Sequence, residues 1–462
     1  MHYEKFADGS VKCIEDEIPF EMPQGWEWTF LSNIVCVLNG DRGQNYPAKN
    51  KLQNEGIPFV SASNIEDGVV SADGLLCLSD AQYNALGAGK LVSGDIVYCI
   101  RGSLGKCGLF TMEKGAIASS LVIVRSILDN THVRDYIFLY LNSAFADEEI
   151  KKYDNGSAQP NLAAKDFTHF LVPIPPQKEM QRINEQAQKA LGYVKSIQNS
   201  KSELCDAIAM TKSKILDLAI RGKLVPQDPN DEPASVLLER IRAEKEELIK
   251  QGKIKRDKKE SVIFKGDDNS YYLKIGNLTE TLDDWRIDDI PDSWGVCCLG
   301  EVCDYGNCTN VDTKDIPETA WILDLEDIEK DTGKVLQKLT LKERNSASTK
   351  HSFHKGQVLY SKLRPYLNKV VLADDEGYCT SEILPLDFND MVYPKYARYY
   401  LMSPTFLKYA NYCSYGVKMP RLGTNDGKKA ILTVPPLQEQ HRIVNAIETI
   451  FAKLDEIANA LS

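Results

Sequence analysis

The side chains best suited to metal chemistry are twelve cysteines and six histidines, and their spacing gives no metal-binding pattern. The densest cysteine group comprises Cys297, Cys298, Cys303 and Cys308. It lacks the paired spacing of a structural zinc site, and no histidine lies near it. His351 and His354 form the closest histidine pair, which is more typical of a polar turn than of a metal site. We therefore expect small, reduced core cysteines and no metal ion.

Motifs for catalysis or cofactor binding are also missing from the sequence. Gly89-Lys90 is followed by Leu91 and does not form a phosphate-binding loop. Both Pro-Pro pairs precede Gln177 or Leu437, whereas an amino-methyltransferase carries an aromatic residue after its Pro-Pro pair. No zinc-protease helix and no serine nucleophile elbow occurs. The sequence favours a recognition protein without catalytic residues and without a cofactor of its own.

Composition limits the class of protein further. The chain has 462 residues, which suggests two to four domains. No apolar run approaches the roughly 20 residues of a membrane span, and the start lacks the apolar stretch of a secretory signal. We expect a cytoplasmic protein. The net charge of −11 taken alone counts against nucleic-acid binding, but whole-chain charge does not tell where the charges lie.

The sequence contains an internal repeat. Residues 174–183 recur as residues 434–443, and Pro23-x2-Trp26 recurs as Pro291-x2-Trp294. Residues 94–98 match residues 356–360, and a Gly-x3-Pro-x-Leu element at 156–162 matches one at 416–422. Ordered matches at slowly drifting offsets indicate two copies of one unit.

Each copy shows the same order of predicted elements. Short alternating apolar runs, at residues 94–100, 121–124 and 357–360, predict strands. Short helices are expected at 133–142 and 395–401, long helices at 177–220 and from 437 to the end, and a charged helix at 233–251. The basic run at 253–259 is interpreted as a solvated linker that could touch phosphate.

Apolar residues in the two long helices follow the alternating four-and-three spacing of a coiled-coil seam. In the first helix the apolar seam residues are Ile183, Ala187, Ala190, Val194, Ile197, Leu204, Ile208, Ile215 and Leu218. The polar residues Lys201 and Thr211 occupy the two remaining seam positions. In the second helix they are Ile443, Ile447, Ile450, Leu454, Ile457 and Leu461. The first helix is too long to fit comfortably on one domain of about 150 residues, so a rod that joins the two copies is favoured over two helices that each pack on their own domain.

These features resemble the specificity (S) subunit of type I restriction-modification systems. Three elements support the resemblance: Pro-x2-Trp opening each copy, Pro-Pro-x2-Glu-x2-Arg-Ile at the start of each long helix, and the central run 221–227 followed by the charged helix. Together with the repeat order they cover nearly the whole chain.

The resemblance implies a mixed α+β (α/β) chain with an internal two-fold repeat, in which two tandem β-rich target recognition domains are joined by long antiparallel coiled-coil spacer helices. The domains would be residues 1–175 and 271–435, with spacer elements at 176–270 and 436–462. Each domain would read one half of a bipartite double-stranded DNA target. The helices would dock two modification (methyltransferase) subunits acting on adenine, and restriction (motor-nuclease) subunits would join for cleavage. S-adenosylmethionine and ATP would belong to those partners.

Candidate DNA contacts follow from their position in loops, because Arg can fork onto guanine and Asn or Gln onto adenine. In the first copy they are Asn64, Arg101, Ser103, Gln159 and Asn161, and in the second copy they are Lys362, Arg364, Lys418 and Arg421. The competing interpretation of each is a solvent-facing or turn-stabilising residue.

Two further interpretations remain open. A non-enzymatic scaffold, with two peptide-binding units and a coiled-coil dimerisation arm, also explains the repeat. In addition, Ser202 aligns with Ser462, so the second copy lacks counterparts of about residues 203–271. Residues 3–21 supply part of what would complete a circular arrangement, and the shorter second helix makes equal docking of two modification subunits doubtful.

Overall fold

The computed structural model describes residues 3–5, 8–153, 161–253, 261–266, 268, 270–275, 278–282, 290–344, 346–388 and 392–461. The chain divides into two compact units, Met1–Gln198 and Asn199–Ser462. The division falls inside one long helix, so each unit contains a part of that helix. The basic run predicted as a linker lies almost entirely outside the described residues.

The first unit is rich in short strands, with helices near its end. Its strands are β1 (Tyr3–Lys5), β2 (Val11–Cys13), β3 (Glu27–Phe30), β4 (Val35–Asn39), β5 (Ile57–Val60), β6 (Ile65–Glu66), β7 (Val69–Val70), β8 (Leu76–Leu78), β9 (Lys90–Val92), β10 (Ile96–Cys99), β11 (Cys107–Leu109), β12 (Lys114–Ile117), β13 (Leu121–Ser126) and β14 (Leu171–Ile174). Its helices are α1 (Asp80–Ala85), α2 (Thr131–Leu141), α3 (Ala144–Tyr153) and α4 (Ala164–Phe167), followed by α5 (Gln177–Ala219).

The second unit repeats this order after an additional helix and sheet. Its helices are α6 (Ala234–Lys250), α7 (Leu299–Val302), α8 (Leu341–Arg344), α9 (Pro394–Leu401), α10 (Pro404–Tyr412), α11 (Thr424–Lys429) and α12 (Leu437–Ala460). Its strands are β15 (Ser261–Lys265), β16 (Tyr271–Ile275), β17 (Leu278–Thr281), β18 (Gly295–Cys298), β19 (Asn310–Val311), β20 (Trp321–Leu323), β21 (Leu339–Thr340), β22 (Lys350–Phe353), β23 (Val358–Ser361), β24 (Val370–Leu372), β25 (Gly377–Thr380), β26 (Ile383–Leu386), β27 (Ser414–Tyr415), β28 (Arg421–Leu422) and β29 (Ile431–Val434).

A buried central strand organises each unit. In the first unit β10 lies between β13 and β11, antiparallel to both, in a sheet of order β4-β13-β10-β11-β7-β6. Successive side chains of a strand point to opposite faces. Ile96 and Tyr98 therefore enter one hydrophobic cluster, while Val97 and Cys99 enter another. A strand covered on both faces is continuously apolar, as this one is.

The second unit uses its matching strand in the same way. β23 lies between β24 and β26, antiparallel to both. Val358 and Tyr360 belong to one cluster and Leu359 to another. Each unit also pairs the strand after its Pro-x2-Trp element with the strand before its long helix, β3 with β14 and β18 with β29. The predicted repeat is confirmed at the level of strand pairing.

The two long helices are present, but their predicted seam is not one continuous interface. Ile208, Ile215, Ile443 and Ile447 are buried, and Ile450 and Leu454 pack against the hydrophobic cluster that contains Ile215, Ile443 and Ile447. Leu218 is half-buried. The pairing is antiparallel, since Lys212 forms an ion pair with Asp455 and the Thr433 hydroxyl donates to the Ile220 carbonyl.

The middle of α5 is exposed, contrary to a seam that is packed throughout. Ile183 and Ala187 are half-buried, Ala190, Val194, Ile197, Leu204 and Ile457 are exposed, and Leu461 is half-buried. Pairing along all of α5 is excluded by length, because α12 has 24 residues against 43 in α5. At 1.5 Å per residue α12 spans only about 36 Å of the roughly 65 Å of α5.

A buried polar cluster fixes α12 to the start of the second copy. Glu439, in the first turn of α12, accepts hydrogen bonds from Trp294 Nε1 at 3.0 Å and from Gln227 Nε2 at 2.6 Å. One turn later Arg442 pairs with Asp231 at 2.6 Å. Burial raises the pKa of Glu439 above its ordinary value of 4.5, although both hydrogen bonds oppose the shift.

None of the helices in the described ranges is both long enough and apolar enough to cross a bilayer.

The raised pKa of Glu439 predicts a pH-dependent stability. Above pH 4.5 the folded protein binds more protons at this carboxyl than the unfolded chain does, so the free energy of unfolding should fall as the pH rises through the folded pKa. Glu439→Gln should remove this contribution. Urea unfolding from pH 4.5 to neutral pH measures it. Parallel pH profiles for wild type and Glu439→Gln would contradict the prediction.

Candidate nucleic-acid interface

The predicted contacts of the first copy lie around the turn between β10 and β11. Gly102 and Gly105 have φ angles of +80° and +79°, which side chains with a Cβ rarely adopt. The turn is closed by the Gly105 N–H, which donates to the Cys99 carbonyl at 3.2 Å. As a result Arg101 and Ser103 are held at the surface and both are exposed.

Arg101 and Asn161 are brought together from positions 60 residues apart. They form an isolated β-bridge, and Arg101 Nε donates to Asn161 Oδ1 at 3.0 Å. The Leu162 N–H also donates to the Ile100 carbonyl at 2.9 Å, so backbone bonds fix the pair. The Arg101 guanidinium nitrogens and the Asn161 amide nitrogen that this hydrogen bond does not use can face a ligand. Gln159 lies outside the described residues.

Asn64 behaves as a turn-stabilising residue. Its Oδ1 accepts hydrogen bonds from the Ser61 N–H at 2.9 Å and the Ser61 hydroxyl at 2.7 Å. The same turn is joined to the 101–105 turn by Lys106, whose Nζ donates to the Ala62 carbonyl at 2.9 Å. Lys106 was not among the predicted contacts. Only its position directly after the glycine-containing turn could have indicated it.

The second copy places its predicted residues at the equivalent position. Leu363 and Arg421 form an isolated β-bridge, the counterpart of Arg101 with Asn161. The Leu422 N–H donates to the Lys362 carbonyl at 3.0 Å, and the Arg364 N–H donates to the Pro420 carbonyl at 2.7 Å. The structure therefore brings Arg421 next to Lys362 and Arg364, which precede it by more than fifty residues in the sequence.

Arg421 is occupied by a carboxylate that the sequence did not reveal. Its Nε lies 3.1 Å from both carboxylate oxygens of Glu382, and Nη2 donates to Oε1 at 2.8 Å. The hydrogen bonds that Arg421 donates to the Glu382 carboxylate raise the pKa of the Arg421 guanidinium above its ordinary value. Arg421 would have to leave Glu382 before it could fork onto a guanine edge.

A hairpin next to this pair projects from the second unit. β27 and β28 pair through Tyr415 with Arg421, and the tip between them contains Lys418. Val417 is 100% exposed and Met419 is 45% exposed. Lys418 can meet a phosphate here, while Val417 offers an apolar contact of the kind that recognises a thymine methyl group.

Arg364 and Asn368 have a left-handed backbone, with φ angles of 48° and 49°. Non-glycine residues adopt this conformation at a cost, and such residues cluster at ligand-binding positions. Arg364 Nε is buried and has no hydrogen-bond partner among the described residues. The strained segment thus lies beside the Leu363–Arg421 bridge.

Metal-binding clusters of histidine, cysteine and carboxylate side chains are not found in the described part of the chain. His351 is buried in β22 with Nδ1 at 2.9 Å from the Ile383 carbonyl oxygen, whereas His354 is exposed, so the pair does not form one polar turn. All twelve cysteines are free thiols. Burial raises the pKa of Cys298 to about 12, which leaves little reactive thiolate.

Comparison with known proteins identifies the family. The family model described as the type I restriction modification DNA specificity domain matches residues 23–204 and 291–462. The chain belongs to this family. Each match contains one β-rich copy and the helix that follows it. The narrower domain boundaries after residues 175, 270 and 435 remain predictions.

Individual relatives agree with the family assignment. The chain is 24% identical to the type I restriction enzyme EcoEI specificity subunit of Escherichia coli, over 98% of this chain and 82% of that protein. It is 30% identical to the EcoAI specificity subunit of Escherichia coli, over 63% of this chain and 53% of that protein. A chain from a structural study of assembly and conformational transition of the type I R-M system has a TM-score of 0.59 at 17% identity, covering 96% of this chain and 94% of that chain, which shows the shared fold.

For this member of the specificity family, Arg101 provides a test that separates base from phosphate contact. Arg101→Ala should cost about 1–3 kcal/mol of discrimination at one base pair if the side chain forks onto a base. Arg101→Lys keeps the charge, so it should restore binding to scrambled DNA but not discrimination. Salt titrations with target and scrambled duplexes, with the partner subunits present, measure both effects. If Arg101→Ala instead weakens binding to target and scrambled duplexes equally, and lysine restores both, Arg101 lies on phosphate.

Proposed function

We propose that the chain is the sequence-reading subunit of a type I restriction-modification complex, in which each copy reads one half of a bipartite double-stranded DNA target. One observation supports this most directly. The same backbone bridge, between the turn after the central strand and the segment before the long helix, occurs once in each copy. Two equivalent surfaces in one chain suit two half-sites. The scaffold alternative has no support from the comparisons.

The partners in this proposal are those that membership of the specificity family implies. Two modification subunits would dock on the helices and bind S-adenosylmethionine, and restriction subunits would use ATP. This chain would contribute neither cofactor nor catalytic group, in keeping with the missing motifs. A cytoplasmic location is part of the proposal and is supported by twelve free thiols.

Local charge explains how an acidic chain can approach DNA. Arg101 and Lys106 flank one turn, and Lys362 and Lys418 lie near the equivalent turn of the second copy. Phosphate contacts by such side chains set the register of a protein on the duplex, while base contacts supply the sequence preference. Larger partners can share the phosphate contacts.

Exchange of one copy tests independent recognition. Replacing residues 22–172 with the matching region of a relative should change one half of the methylated target and leave the other half and the gap unchanged. Methylation-site mapping in cells with the complete system provides the measurement. As a control, the purified chain alone, given S-adenosylmethionine and DNA, should transfer no methyl group. Changes in both halves, or methyl transfer by the lone chain, would refute the corresponding part of the proposal.

A second prediction concerns the spacing between the two half-sites, because the long helix α5 connects the two copies along the chain. Seven residues inserted within 189–202, in the exposed stretch, lengthen the helix by roughly 10 Å and change its phase by only about 20°. We expect the gap between the two half-sites to change by about three base pairs. Three base pairs also rotate the second half-site by roughly one third of a turn, so binding is lost if the helix cannot twist to follow that rotation.

A two-residue insertion at the same place is the matched control. It rotates the following part of the helix by about 200° and should abolish recognition of the original target. Site mapping by methylation distinguishes the two variants. Retention of the original gap by the seven-residue insertion would show that α5 does not set the spacing.

A further inference from the structure

A carboxylate lies among the predicted DNA contacts of the second copy. Glu382, in the turn between β25 and β26, accepts hydrogen bonds from Arg421 Nε at 3.1 Å and from Arg421 Nη2 at 2.8 Å. Its backbone carbonyl also accepts from the Lys362 N–H at 3.0 Å, which places Glu382 beside both basic residues. Phosphates repel a carboxylate, whereas cytosine N4 and adenine N6 carry hydrogen-bond donors in the major groove. A carboxylate at this position therefore suits base edges and not the DNA backbone.

The internal repeat shows that the fold does not require this carboxylate. In the first copy the Ile100 N–H donates to the Ser120 carbonyl at 3.0 Å, which is the counterpart of the bond from Lys362 to Glu382. Both bonds come directly before the strand that pairs with the central strand, β13 in the first copy and β26 in the second. A serine supports the same backbone arrangement, so the charge of Glu382 is an addition particular to the second copy.

The ion pair leaves part of each group unused. A guanidinium has five N–H groups, and a carboxylate has about four lone-pair sites. Arg421 directs Nε–H and one Nη2–H to Glu382, and one Nη1–H to the Met419 carbonyl at 3.1 Å. One N–H on each terminal nitrogen therefore has no partner among the described residues. The side chains of Arg421 and Glu382 are 33% and 23% exposed, so the pair can be reached from outside the fold.

The pair presents a donor directly beside an acceptor, because Arg421 Nη2 and Glu382 Oε1 lie 2.8 Å apart. In the major groove each base pair likewise shows a keto oxygen beside an exocyclic amine, either guanine O6 with cytosine N4 or thymine O4 with adenine N6. These two atoms are hydrogen-bonded to each other within the base pair, so they also lie about 3 Å apart. Forking onto guanine requires the ion pair to separate, whereas one hydrogen bond from each partner to these two atoms does not.

We propose that Glu382 is a specificity-determining residue, which together with Arg421 reads the order of keto oxygen and exocyclic amine at one base pair of the half-site read by the second copy. Glu382 accepts a hydrogen bond from cytosine N4 or adenine N6, and Arg421 donates one to the keto oxygen of the paired base. G·C and T·A pairs present these groups in one order, and C·G and A·T pairs present them in the reverse order. The inference rests on the proposed function, since it requires the second copy to meet a base edge.

Base analogues without the exocyclic amine test this contact. Methylation-site mapping gives the target, and exchange of residues 22–172 identifies the half that the second copy reads, since that half stays unchanged. In labelled duplexes of this target, each cytosine or adenine of that half is replaced in turn by its amine-free analogue. Fluorescence anisotropy follows binding of the chain with its partner subunits present. At one position the wild type should lose affinity by about tenfold or more, because the carboxylate is left without its donor.

Substitution of Glu382 should remove this sensitivity at the same position. Glu382→Ser, which introduces the residue of the first copy, should bind the amine-free and the unmodified duplex equally. Glu382→Gln keeps an acceptor oxygen without the charge, so its loss should be intermediate, since charge-assisted hydrogen bonds are about twice as strong as neutral ones. Glu376→Ser is the matched control, because Glu376 is an exposed carboxylate at the other end of β25. This variant should show the full wild-type loss.

The order of the two groups gives a second readout on the wild type alone. At the sensitive position, exchange of G·C for T·A keeps the keto oxygen and the amine on the same strands, whereas reversal of either pair exchanges them. The exchange should therefore weaken binding less than the reversal. Equal losses from exchange and reversal would overturn the inferred reading of this order.

Two further results would overturn the inference. One is wild-type binding that no amine-free analogue weakens, a result that does not depend on the folding of any variant. The other is an equal loss for the wild type and Glu382→Ser at every position, which would mean that Glu382 only holds Arg421 in place. In both cases the wild type would still prefer its mapped target over scrambled DNA. Loss of that preference would instead refute the proposed function.

Discussion

The buried carboxylate of Glu439 is the interaction on which the geometry of the second unit depends. An ionised carboxyl without partners is costly to bury, so its two hydrogen bonds from Trp294 and Gln227 strongly favour one arrangement of three distant segments. These segments are the strand that opens the copy, the turn after α5 and the first turn of α12. Once they are joined, the β18–β29 pair and the antiparallel contact of α12 with the end of α5 follow.

Fixed strands and helices also explain how loops without regular secondary structure can hold the predicted DNA contacts in place. Loops hold precise positions only when the elements at their ends are fixed. The central strands β10 and β23 are buried on both faces, and the turns that follow them are tied by backbone hydrogen bonds to the segments before α5 and α12. Strain at Arg364 and Asn368 is tolerated beside this rigid base.

Sequence patterns predicted the parts that depend on local or periodic information. The repeat, the helix at Gln177–Ala219 and the strand at Ile96–Cys99 were all evident from motif spacing and apolar alternation. The Arg421–Glu382 pair was not, because the two residues lie 39 positions apart and nothing in their neighbourhoods connects them. Exposure of the middle of α5 was also missed, since a heptad pattern shows which side of a helix is apolar but not whether a partner reaches it.

The two isolated bridges give both copies the same backbone arrangement with different side chains. The Leu162 N–H to Ile100 carbonyl bond and the Leu422 N–H to Lys362 carbonyl bond are equivalent, and both use backbone atoms alone. Their formation therefore does not depend on the adjoining side chains, which are Arg101 with Asn161 in one copy and Leu363 with Arg421 in the other. Backbone atoms set the position while side chains set the chemical preference. Under the proposed function, substitution at these positions would alter the half-site without disturbing the fold that presents it.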